Sequence, residues 1–116
     1  MANKIKSQNR RVQPRMPTML KVEYFTKGGD MFTDYSTNIS DNGLFLHSKQ
    51  PFEKGHRLHL RLTLPGSMRP LHVMGEVMWV HRGGVGNPTL PGVGLRFQYL
   101  SGEHRTVLDD FLQRFR

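Results

Sequence analysis

The sequence predicts an all-β fold with one helix: a six-stranded antiparallel β-barrel plus a C-terminal α-helix. Three observations lead there. Six short runs alternate apolar and polar residues, the period of a strand with one buried face. Gly, Pro, Asn, Asp and Ser cluster between the runs, as turns require. Only the last stretch repeats its apolar residues at helical spacing. A chain of 116 residues suits one domain, and closing the sheet removes exposed strand edges. No internal repeat is visible.

Taken in order, residues 1–17 read as a flexible basic arm and residues 18–116 as the barrel with its helix. Pro14 and Pro17 hold the end of the arm extended. Met19 to Thr26 is the first strand, with Leu20, Val22 and Tyr24 alternating with Lys21 and Glu23. Lys27-Gly28-Gly29-Asp30 makes a hairpin turn. Met31 to Thr37, with Phe32 and Tyr35, is the second strand, and residues 38–43 are a turn. Leu44-Phe45-Leu46 is a short third strand ending near Pro51. Arg57 to Leu64 shows the cleanest alternation: Leu58, Leu60, Leu62 and Leu64 face one side, His59, Arg61 and Thr63 the other. After Pro65-Gly66-Ser67, Leu71 to His81 is the fifth strand, with Leu71, Val73, Val77 and Trp79 in phase. Gly75 within it predicts a bulge or sharp bend. Arg82 to Pro91 is a Gly/Pro-rich loop, and Val93 to Tyr99 is the sixth strand, with Val93, Leu95 and Phe97 in phase. Trp79, Phe45 and Phe97 are assigned to the core. Ser101 is the expected N-cap. His104, Val107, Leu108, Phe111, Leu112 and Phe115 form the apolar stripe of the helix.

Composition narrows the function classes. There is no cysteine, which excludes disulfides and thiolate metal sites. No run approaches the ~18 apolar residues of a membrane-spanning helix. The basic N-terminus has no apolar stretch behind it, so no signal peptide is expected and a cytoplasmic location is. The formal charge is +8, with 17 Lys+Arg against 9 Asp+Glu. Residues 1–21 hold Lys4, Lys6, Arg10, Arg11, Arg15 and Lys21 and no acid; beyond them the two signs nearly balance. The basicity therefore belongs to the arm, which attracts phosphates of a nucleotide, nucleic acid or lipid.

Two short motifs carry the chemistry. In an extended chain, Arg11 and Arg15 point to the same side and Arg10 to the other. Guanidinium groups fork onto phosphate oxygens and stack on flat rings. The turn Asn38-Ile39-Ser40-Asp41-Asn42-Gly43 reads Asn-x-Ser-x-x-Gly. Asn38 can accept from and donate to a base edge, Ser40 brings a hydroxyl, and Gly43 permits a positive φ or a close backbone approach. Each motif alone is also what a basic tail or a polar turn looks like.

In this order and spacing the two motifs resemble the PilZ domain, whose members are receptors for the bacterial second messenger cyclic di-GMP. Arg11 and Arg15 fit the family's Arg-x-x-x-Arg, and Asn38, Ser40 and Gly43 fit its Asp/Asn-x-Ser-x-x-Gly. Gly92-Val93-Gly94-Leu95-Arg96-Phe97 is similar to a late glycine-rich strand of the family. The turn with Leu44-Phe45-Leu46, Leu71-His72-Val73-Met74-Gly75-Glu76-Val77 and the terminal helix resemble a single-domain subgroup from gliding and predatory deltaproteobacteria. The resemblance implies a ligand on the outer surface of a PilZ-type barrel. Arg11 and Arg15 contact phosphates and stack on guanines there, and the arm orders over the ligand. Asn38, Ser40 and Gly43 hold a guanine edge and nearby phosphate. Asn38 replaces the commoner Asp and offers one acceptor to the guanine edge where a carboxylate offers two, which points to lower affinity. Arg10 stands where the family's neighbouring residue influences stoichiometry, and an intercalated ligand dimer is the expectation.

Other groups are set aside. Among the six histidines, His56 and His59 are three apart without further metal ligands, and His47, His72, His81 and His104 lie on different elements. Gly83-Gly84-Val85-Gly86 lacks the Gly-Lys-Ser/Thr of a phosphate loop. Asp109 and Asp110 diverge by about 100° on a helix. No nucleophile–base set is seen, so neither an enzyme, a metal nor a cofactor is expected. The function expected is a non-catalytic receptor that acts on an unidentified downstream protein, in motility or surface behaviour, without specific nucleic acid or membrane insertion. The alternatives are a PilZ-like interaction module that binds no nucleotide, and a small-barrel nucleic-acid binder. The latter is opposed by the lack of a visible row of outward aromatics.

Overall fold

A computed structural model describes residues 19–26, 28–83, 91–100 and 102–114. The strands are β1 (Leu20–Phe25), β2 (Met31–Ile39), β3 (Gly43–His47), β4 (Arg57–Thr63), β5 (Leu71–His81) and β6 (Gly92–Gln98), followed by helix α1 (Gly102–Gln113). They close into an antiparallel barrel in the order β1-β2-β3-β6-β5-β4. The expected N-cap Ser101 and the stripe residue Phe115 lie outside the described residues, as do Arg10, Arg11 and Arg15.

The alternation of the sequence becomes the inside and outside of the barrel. Leu58, Leu60 and Leu62 of β4 are buried while Arg57, His59, Arg61 and Thr63 are exposed. Leu20, Val22 and Tyr24 of β1 face them from within. Each such side chain contributes about 1.5–3 kcal/mol by leaving water, and together they form one core with Leu44, Leu46, Val77, Val93 and Leu95. Helix α1 seals one end. Its Leu108, Phe111 and Leu112 are buried, and its flank meets the β4–β5 turn around Leu64, Gly66 and Met68. No helix among the described residues is long and apolar enough to cross a membrane.

At the other end the Tyr24 ring stacks on Phe32 with centroids 5.9 Å apart, and its hydroxyl donates to Asp34 Oδ2 at 2.6 Å. Burial, and then this hydrogen bond, push the phenol well above its ordinary value.

Two strands break the alternation. The ladder between β2 and β3 slips between Ser36 and Asn38, and that between β5 and β6 slips between Val77 and Trp79. An extra residue in one strand reverses the faces that follow it. Hence Ile39 and Val80 turn inward, and Asn38 and Trp79 turn outward. Gly75, expected to mark the irregularity, keeps register with Leu58 and Phe97. It lies instead in close packing, where a Cβ would stand 2.9 Å from Leu60 Cδ1 and that methyl would have to shift. The bulge falls at Met78, three residues on. The turn expected over 38–43 is also tighter: β2 continues through Ile39 and β3 begins at Gly43.

Candidate functional site

The two bulges build the site. Asn38 pairs with Phe45, Phe45 with Gly94, and Gly94 with Trp79. These four residues form one row across β2, β3, β6 and β5 on the outer surface. Gly94 supplies no side chain, and the Trp79 indole lies flat on its backbone; a Cβ there would collide with the ring. The row therefore carries the Trp79 ring over Gly94. It opens into a cleft of ≈ 540 Å³ lined by Asn38, Ser40, Asn42, Gly43, Leu44, Phe45, Met78, Trp79, Leu95 and Arg96. That volume suits a small molecule; such sites span about 300–1,000 Å³.

The predicted turn residues meet in this cleft, each differently held. The Asn38 backbone N–H donates to Ser36 Oγ at 3.3 Å. Among the described residues, none hydrogen-bonds the Asn38 side-chain amide. The Ser40 hydroxyl accepts from the Asn42 N–H at 3.3 Å and donates to the Gly43 carbonyl at 3.4 Å. The Ser40 N–H donates to the same carbonyl at 2.9 Å. Ser40 thus braces the turn as well as lining the cleft. Gly43 is required for close approach: a Cβ would meet the Leu95 carbonyl oxygen and stand 3.1 Å from Arg96 Cα. Phe45 is steadied by the His47 ring set edge-on at 5.1 Å, and His47 Nε2 is 3.0 Å from Thr37 Oγ1.

Three residues that sequence reasoning missed, Trp79, Phe45 and Arg96, complete the walls. Trp79, assigned to the core, is 55% exposed, because the bulge at Met78 carries it to the outer face. Phe45, assigned with it, is half-buried on that same face, and Phe97 packs partly buried against the core. The signal was Val80: an apolar residue out of phase with Val77 means that the phase changes between them. Contrary to expectation, aromatic side chains do stand on the outer face. Arg96 lies on the cleft rim beside Gly43, its Nη2 3.4 Å from Glu76 Oε1. The Gln98 amide donates to that same Glu76 oxygen. Arg96 is partly exposed, so the pair adds little stability and leaves a cation at the cleft edge.

The histidines are less scattered than expected. His59 and His72 meet on the outer face of β4 and β5, with nitrogens 3.4 Å apart. Among the described residues no group of three or more His, Cys, Asp or Glu is arranged to hold a metal.

The PilZ domain sequence model matches residues 9–114, nearly the whole chain. The chain belongs to the PilZ domain family. Solved structures share the PilZ fold. The inhibitor of motility MotI/DgrA from Bacillus subtilis superposes with a TM-score of 0.69 at 18% identity, covering 91% of this chain and 50% of that one. K. pneumonia MrkH in its apo state gives 0.77 at 16% identity over 95% and 52%. The PilZ domain of Escherichia coli YcgR, solved with c-di-GMP, gives 0.69 at 14% identity over 92% of each chain. This chain spans about half the length of the first two. At such identities the likeness is one of fold. A search of curated proteins finds no match.

Proposed function

We propose that this PilZ chain is a non-catalytic receptor that binds cyclic di-GMP in the outer cleft and signals by engaging a protein partner. The observation that carries the reading is the convergence of Asn38, Ser40, Gly43, Trp79 and Arg96 on one cleft. The YcgR PilZ domain was solved with c-di-GMP and MrkH as a c-di-GMP complex, which supports this choice of ligand. The Asn38 amide meets a guanine edge. Phe45 and Trp79 supply apolar and stacking surface. Arg96 adds a cation that a phosphate can draw from Glu76. Arg11 and Arg15 close over the ligand from the arm at residues 1–17, contacting phosphates and stacking on guanine. The arm loses conformational freedom, and the charge-assisted contacts must outweigh that cost. Arg10 stacks on a second ligand molecule, giving an intercalated dimer. The readout is the ordered arm, presented to a partner in motility or surface behaviour. The Bacillus subtilis neighbour is named an inhibitor of motility, in keeping with that setting.

Calorimetric titration with cyclic di-GMP tests this. The intact chain is expected to bind two ligand molecules. Arg11→Ala and Arg15→Ala are each expected to abolish binding while the barrel still melts cooperatively. Unchanged affinity in both variants sinks the receptor reading. Single-stranded RNA is the control, because Phe45 and Trp79 do face outward. A gel shift with RNA that survives moderate salt, without binding of cyclic di-GMP, would move the assignment to nucleic acid. The polar groups of Asn38 and Ser40 beside the Trp79 ring in one cleft of ≈ 540 Å³ favour the nucleotide.

A further inference from the structure

The turn Ser40–Asn42 is held from two directions. From the sheet, the Phe97 N–H donates to the Asn42 carbonyl at 2.8 Å, and the Ser40 N–H reaches Gly43. From the helix, Arg105 Nη1 donates to the Asp41 carbonyl at 2.6 Å, a contact across 64 positions of sequence. A charged donor on a carbonyl is one of the stronger hydrogen bonds. The same guanidinium is 4.0 Å from Asp109 Oδ1 one helical turn on, so turn and helix share it. Asp41 Oδ1 is itself buried and lacks a hydrogen-bond partner among the described residues, so a nearby cation matters more there than on an open surface. The helix cannot slide freely, because Leu108, Phe111 and Leu112 fix it in the barrel end.

We infer that Arg105 is a positioning residue for the ligand-binding turn, and that it couples the seat of helix α1 to occupancy of the cleft. The carbonyl it holds belongs to the residue directly after Ser40, and the Asn42 carbonyl that β6 holds comes next. Removing Arg105 frees the middle of the turn on the side where β6 gives no support. Coupling of this kind is reciprocal: whatever ordering the turn passes to the helix, a partner gripping the helix passes back to the turn. The helix is thus a second surface through which the site can be read or tuned, distinct from the arm. The ligand half of this inference rests on the cyclic di-GMP reading; the positioning half does not.

Residue-resolved amide exchange on the full chain separates the two halves. Without ligand, Arg105→Ala is expected to speed exchange of the Ser40, Asn42 and Phe97 amides about tenfold, leaving the Leu60 amide of β4 within about twofold. Asp109→Ala, which removes the competitor for the guanidinium, is expected to leave the turn at least as protected as in the parent. Unchanged turn exchange in Arg105→Ala, or equal acceleration in both variants, overturns the positioning role and reduces Arg105 to an ordinary helix ion pair. If Arg105→Ala loses protection in β4 as well, Arg105→Gln, which keeps bulk and helix propensity, decides on the same criteria. With cyclic di-GMP, the parent is expected to gain protection at the helix amides 107–111, and Arg105→Ala to lose that gain and bind about tenfold more weakly. Ligand binding without change at the helix overturns the coupling. Failure of the parent to bind cyclic di-GMP overturns the receptor reading, and the ligand-free comparison still decides the role of Arg105.

Discussion

The barrel has two kinds of wall. Strand β4 is uninterrupted, with leucine inward and polar residues outward at every step; it pairs in unbroken register with β1 and β5. The wall made by β2, β3, β6 and the end of β5 carries two register slips and three outward glycines, Gly43, Gly92 and Gly94. The first wall is built for burial. On the second, the slips turn Asn38 and Trp79 out of the period, and the missing side chain of Gly94 leaves room for the Trp79 ring to lie against the sheet. A regular sheet presents a flat, repeating surface; the cleft here opens where the period is broken.

The regular wall is where stability should be easiest to damage. Leu60 is fully buried between β1 and β5. Leu60→Ala is expected to cost about 2–5 kcal/mol, the range for a core leucine whose cavity cannot collapse. Urea unfolding would show the loss, while ligand affinity of the remaining folded fraction stays near that of the parent. A large affinity change with intact folding would mean that the two walls are not separate.

Trp79→Ala is the reverse experiment. The ring is more than half exposed, so stability should change by less than about 1 kcal/mol, whereas affinity for cyclic di-GMP should fall by about 1–3 kcal/mol, the worth of one base–aromatic stack. Trp79 is the chain's sole tryptophan, so its emission reports the cleft without a label. Ligand addition should change that emission in the parent; a titration that leaves it unaltered while heat is released would put the ligand elsewhere.

The same contrast explains what was legible in the sequence. The inward leucines of β4 and the helical stripe follow from spacing alone, since a single period describes them. Asn38, Ser40 and Gly43 were legible as a motif, and they do line one cleft. The bulges were not legible as such, because inserting one residue changes phase without changing composition. Ile39 and Val80 were their traces, apolar residues standing on what an unbroken strand would make the outer face. Trp79 was misassigned for the same reason: an indole in phase with Val77 reads as core until the slip is placed. Gly75 drew attention to the right strand, but its missing side chain serves Leu60, not a bulge. Nothing in the spacing tells Arg96 from the other outward cations, and only the ladder sets it beside Gly43.

The smallest expected effect lies inside the regular wall, where Tyr24 introduces a polar contact into an apolar face. Its hydroxyl donates to Asp34 and lies 3.2 Å from Ser48 Oγ. Tyr24→Phe deprives a half-buried carboxylate of that donor and should cost about 1–2 kcal/mol near neutral pH. The pH dependence has a definite sign. Burial first, and the Asp34 bond second, raise the folded phenol's pKa above its ordinary value, which is ~10 in the unfolded chain. Stability from the protonated phenol is therefore complete below about pH 10 and is lost as pH rises toward the folded value. The phenylalanine variant has no such group, so the stability gap between parent and variant should narrow above about pH 10. Urea unfolding of both proteins at neutral pH and near pH 11 measures this. A gap of constant size across that range would mean that the Tyr24 hydroxyl titrates as an exposed phenol does, and that the regular wall tolerates water where the structure packs Phe32 and Phe52 around the ring.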